Sequence, residues 1–219
     1  YAHSIEAWQD GELVGGLFYI AAMFLVGIFF ILGYLGRLAR NVAAGVSDPA
    51  PEWDDLGEYF AEGVTLACVA FVYVLPLMFA ACALIVPAIL AGTLSDHMTP
   101  NHMGGAAAVT NALASGTLTC GFGLLMPLGL LYSFWVPAAL LFAANERRFG
   151  AGFEFGRIAR FIRTNIANYV LAFVIFLIAR FAMAFGLILF CIGVFFTGFW
   201  ALAVATYAFA EVYRLAPSK

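Results

Sequence analysis

From Val64 to Leu94, thirty-one consecutive residues carry no charge, and most are Val, Leu, Ile, Phe or Ala. A bilayer core about 30 Å thick is crossed by roughly 20 apolar residues in a helix, so this one stretch exceeds a membrane span. Backbone that enters hydrocarbon must satisfy its own polar groups, which leaves helices or closed barrels. The apolar runs here are continuous rather than alternating, and that selects helices. Composition agrees: 64% of the 219 residues are hydrophobic and 11% are charged, against about 25% charged in a soluble domain. A water-soluble enzyme and a disordered chain are both excluded on these grounds.

The expected fold is an all-α polytopic membrane protein, one membrane domain over residues 1–219. About five spans are read, at 13–35, 64–85, 118–144, 169–191 and 193–213. The first closes on Arg37 and Arg40. The second contains Pro76, which frees a carbonyl and bends a helix. Past Ile85 its apolar run continues through Pro87 to Leu94, as a long kinked helix or as a short extra turn. Ser95 to Gly105 is a polar loop, and Ala106 to Thr117 (AAAVTNALASGT) reads as a re-entrant or interfacial piece. Pro127 and Pro137 interrupt the third span, and the last two spans form a tight hairpin turning at residues 190–193. The chain opens on Tyr1 rather than Met, so a processed or longer start is expected.

Orientation follows from the basic residues. Under five spans, Arg37, Arg40, Arg147, Arg148, Arg157, Arg160, Arg163, Arg214 and Lys219 fall on one side, and Arg180 falls within a span. The positive-inside rule makes that side cytoplasmic, with the N-terminus outside and the C-terminus inside. The two halves also echo each other weakly. Each has a span ending in arginines, then an amphipathic helix, then another span, a plan that fits a fold built by duplication.

Those amphipathic helices are expected at 52–62 and 153–166 on the cytoplasmic side. In the first, Trp53, Leu56 and Phe60 share a face opposite Asp54, Asp55, Glu58 and Glu62. In the second, Phe155, Ile158, Ile162 and Ile166 share a face, and Arg157, Arg160 and Arg163 project away from it. Such helices lie in the membrane interface, apolar face down. One is acidic and the other basic, so they are expected to lie side by side and neutralise each other. The plainer reading is two solvated faces.

GYLGRLARNVAAG (33–45), PEWDDLGEYFAEG (51–63) and YVLPL (73–77) resemble the signature of an uncharacterised membrane-protein family, domain of unknown function 4013. RFGAGFEFGRIARFIRTNIANYVLAF (148–173), CIGVFFTGFWALAV (191–204) and the closing Tyr213-Arg214 carry the resemblance through the second half. The resemblance implies a prokaryotic integral membrane protein, placed here in the inner (cytoplasmic) membrane. It brings no activity, cofactor or catalytic residue with it. Two places depart from the family pattern: the acidic approach to the first span (Glu6, Asp10, Glu12) and the stretch 92–117.

Little in the chain points to chemistry. An ion-coupled carrier needs a carboxylate relay within its spans, and none can be named. There is no HExxH, GxSxG or phosphate-binding glycine loop, and no basic run of the kind nucleic acid demands. His97 and His102 with Asp96 have a spacing too loose to define a metal site. Cys68, Cys82, Cys120 and Cys191 read as small packing residues. No cofactor, metal or catalytic residue is assigned. Arg180, Arg157, Arg160 and Arg163 are the candidates for contact with lipid or a partner, against the plainer reading that Arg180 snorkels. The functional expectation is a non-catalytic accessory or scaffolding subunit, with the lipid bilayer and other membrane subunits as partners. The rival is a permease-like or lipid-handling protein, which would need a polar cavity lined by residues such as Asn111, Thr117 or Arg180.

Overall fold

A computed structural model describes residues 26–52, 55–98, 104–185 and 193–216. Those residues form six α-helices and no strand: α1 Val26–Ala44, α2 Leu56–Met98, α3 Gly104–Glu146, α4 Phe155–Thr164, α5 Ile166–Phe185 and α6 Gly193–Leu215. A short 3-10 turn, Phe149–Phe153, links α3 to α4. Three helices, α1, α2 and α3, are long and apolar enough to cross a membrane, and α4 with α5 counts as a fourth if that bent pair is one span. The chain divides into two compact units, one of Tyr1–Val69 with Ala138–Lys219 and one of Ala70–Pro137, and α2 and α3 contribute to both.

In the first unit, glycine decides how closely α1 and α2 approach. A Cβ on Gly33 would fall on the backbone of Tyr59, and one on Gly63 would fall on the carbonyl of Phe29. The paired positions run in opposite directions along the chain, so the helices are antiparallel. Small residues of this kind are what let membrane helices touch backbone to backbone. Phe29 and Phe30 close the contact around Phe60, at ring distances of 5.6 and 5.5 Å. At its other end α1 stops at Gly45, in the left-handed region at φ 74. The Val46 and Gly45 amides bond the carbonyls of Asn41 and Val42, forming a Schellman cap.

α5 and α6 pack through small residues too, with Ala172, Ala179, Ala201 and Ala205 all buried. Beside them lies an aromatic core in which Phe161 of α4 meets Phe142, Tyr169 and Tyr213 at 5.5, 6.1 and 5.7 Å. α4 stands at 94° to α5 and buries Ile158, Phe161 and Ile162. Ile158 and Ile162 of the expected apolar face are therefore covered by protein, where the sequence reading turned the face toward lipid, while Phe155 and Ile166 stay exposed. The 3-10 turn fits because Gly152 has no side chain: a Cβ there would sit 2.8 Å from Val69.

In the second unit the far halves of α2 and α3 form a hairpin. Trp135 Nε1 donates to the Tyr73 hydroxyl at 3.3 Å, and Leu84 packs over Gly121. The outward side chains, Phe79, Phe122 and Met126 among them, are exposed.

Three expectations change. The acidic stretch at 52–62 is not a separate helix. Asp55 Oδ1 accepts the Glu58 amide at 3.0 Å and starts α2 at Leu56, which then runs unbroken past Pro76 and Pro87. The stretch 106–117 is not a re-entrant piece but part of the 43-residue α3. Its polar tint breaks nothing, because Ser115 and Thr117 donate their hydroxyls to carbonyls three or four residues back. The first helix does not end at Leu35 but continues through Arg37 and Arg40 to Ala44. Residues 13–25 of that expected span, like Trp53, Asp54 and His102, lie outside the described residues.

Candidate functional site

The end of α1, the start of α2 and the end of α3 meet, and their charged residues interlock. On α1, Arg37 and Arg40 are one turn apart; on α2, Glu58 and Glu62 are one turn apart. Spacings of three and four put each pair on one helix face. Arg40 Nη2 donates to both oxygens of Glu62, at 2.8 and 2.7 Å, and Arg40 Nη1 donates to the Ala144 carbonyl at 3.2 Å. The Arg40 and Glu62 side chains are only 20% and 13% exposed, so this bidentate pair is largely withdrawn from solvent. Arg37 lies over the Tyr59 ring at 5.4 Å and donates to its hydroxyl at 3.2 Å. The Tyr59 hydroxyl in turn donates to the Glu52 carbonyl.

Arg147 completes the set. It donates to Glu62 through Nε at 2.8 Å and pairs with Glu58 through Nη2. Its backbone is left-handed, at φ 50, just past the last residue of α3. Glycine is the usual occupant of that position, and a larger residue is strained there. The strain is balanced by two carboxylates within reach of the side chain. A cleft of ≈ 200 Å³ opens here between Arg40, Glu62, Thr65, Leu66, Ala144 and Arg147.

A second cluster follows in sequence. Arg157 bonds Glu146 at 2.7 Å and Glu154 at 2.6 Å, and lies over the Phe142 ring at 5.1 Å. Arg148 binds the same two carboxylates. The hydrogen bond from Arg148, with Arg157 adding to it, holds the Glu146 carboxyl below its ordinary value.

The charge pairing thus differs from the expected one. Glu58 and Glu62 do pair within the chain, but with Arg37, Arg40 and Arg147 rather than with the basic helix. Asp55 serves as a helix cap. Among the arginines of the basic helix, Arg157 is engaged by described carboxylates. Arg160 and Arg163 are exposed, and no described residue bonds either guanidinium. Arg180 is likewise exposed, with no described partner. The sequence reading missed Arg40 and Arg147 as ion-pair partners; the matched spacing of 37/40 against 58/62 was available to find Arg40, and no local spacing marks Arg147. Among the described residues, no group of three or more His, Cys, Asp or Glu is placed to hold a metal. Thr117 spends its hydroxyl on its own helix.

These features define a helical protein with several helices able to span a membrane and an ion-pair network that ties three helix ends together. The family model described as "Protein of unknown function (DUF4013)" matches residues 16–194, and the chain belongs to that family. It is also similar to a leucyl/phenylalanyl-tRNA–protein transferase of Saccharophagus degradans, 90% identical over 21 residues. That match covers 10% of this chain and 9% of the transferase. A segment so short is no domain, and it carries no function across. No solved structure matches.

Proposed function

We propose that the chain is a non-catalytic accessory or scaffolding subunit of a larger membrane complex. It has five spans in a prokaryotic cytoplasmic membrane, its N-terminus outside and its C-terminus in the cytoplasm. The ion-paired ends of α1, α2 and α3 then face the cytoplasm, in keeping with the distribution of arginines.

The reading rests on the apolar length of α2. Val64 to Leu94 makes about 46 Å of helix. At a common tilt of about 20° this overruns a core about 30 Å thick by roughly 13 Å. Ile89 and Leu90, near the far end, are 58% and 63% exposed, and α3 brings Leu113 at 62%. Apolar surface standing beyond the lipid needs protein to cover it. The ion-pair network supports a structural role, since its carboxylates are already taken by arginines of the same chain.

The test is photo-crosslinking in native membranes from Ile89, Leu113 and Phe79. The expected result is one discrete protein adduct shared by Ile89 and Leu113, with lipid adducts dominating at Phe79. Lipid-only adducts at all three positions would sink the proposal.

A further inference from the structure

We infer that α4 is a docking surface for an anionic bilayer leaflet, with Arg160 and Arg163 engaging lipid phosphates. At 100° per residue these two arginines project opposite Ile158, Phe161 and Ile162, which are buried in the aromatic core. They are not needed to hold the helix in place. Nor are they neutralised nearby: the adjacent carboxylates, Glu146 and Glu154, are bonded by Arg148 and Arg157. Two cations therefore remain on a helix whose other charges are balanced.

Geometry and neighbours select lipid as the occupant. α4 stands at 94° to α5, so with α5 across the bilayer α4 lies along its surface. Exposed apolar groups stand at the two ends of the helix, Phe155 in its first turn and Ile166 at the start of α5 just past the bend. Aromatic and aliphatic side chains beside guanidinium groups suit the boundary between acyl chains and headgroups. An acidic protein surface would call for the cations but gives the exposed Phe155 and Ile166 no role. The inference needs the membrane placement of α5 and stands whether or not the chain is a subunit of a complex.

Each basic group near an anionic leaflet contributes enough that two give about a thirty-fold preference at low salt. The test is native mass spectrometry of the full chain in mild detergent, titrated with phosphatidylglycerol or phosphatidylcholine. About thirty-fold more phosphatidylglycerol adduct is expected, falling as salt rises. The double variant R160Q/R163Q should lose the preference, and R160K/R163K should keep most of it. A preference that survives in R160Q/R163Q overturns the inference. So does displacement of the lipid by millimolar inorganic phosphate, which would mark a free-anion site. Binding of a polyglutamate peptide in place of the lipid would overturn it in favour of a protein partner.

Discussion

Glu62 is the carboxylate on which two arginines depend. Arg40 grips it in two hydrogen bonds on the sheltered side, and Arg147 reaches it from the end of α3. Removing one member of a largely buried pair strands the other's charge and costs about 3 kcal/mol. Glu62→Gln should therefore lower the melting temperature in detergent by several degrees. Glu58→Gln should cost under about 1 kcal/mol, because its pair with Arg147 is more exposed. Equal losses at the two sites would show that burial does not separate them. Glu146 gives the matching pH effect. Its folded carboxyl is held below the ordinary value of 4.5, so it contributes stability above that pH and loses it as the pH falls through the lowered value. Melting temperature followed from pH 6 to pH 3 should drop less steeply in Glu146→Gln than in the unaltered chain. Such pairings are hard to read in sequence, because Arg147 lies 85 positions from Glu62 and only the folded helix ends bring them together.

At the scale of elements, glycine spacing separates contacts that matter from open surface. Gly33→Ala puts a methyl group into the Tyr59 backbone, and overpacking of this kind costs about 1–3 kcal/mol. Gly129→Ala meets nothing within 4 Å and should be neutral or gain up to about 1 kcal/mol of helix propensity. Thermal unfolding of the two variants side by side checks the contrast, and a Gly33 variant as stable as Gly129→Ala would refute the close approach. The helical nature of the long runs was legible from length and charge alone. Their boundaries were not, each for a local reason. Arg37 and Arg40 look like a stop until their acceptors on α2 are known. The acidic helix expected from residue 52 starts four residues later, at Leu56, where the Asp55 side chain sets it. Ser115 and Thr117 look like a break, yet they back-bond into the helix they belong to.

For the whole molecule, the proposed topology makes a sharp demand. Cysteines placed at Arg148 or Arg163 should stay unlabelled by impermeant thiol reagents in intact cells and react after permeabilisation. Labelling from outside would reverse the orientation and remove the proposed cytoplasmic network. The sequence reading anticipated a helical membrane protein of this family and placed a basic helix near residues 153–166, close to the observed Phe155–Thr164. Long-range topology was less accessible, since no local pattern marks residues 70–137 as a unit of their own.

That arrangement bears on biosynthesis. The first unit is assembled from two pieces of chain, with the whole of Ala70–Pro137 translated between them. At ordinary elongation speeds the ribosome needs ~3–14 s to make that insert. Throughout the interval the nascent α1–α2 pair must wait, with Glu62 able to meet Arg40 but Arg147 not yet synthesised.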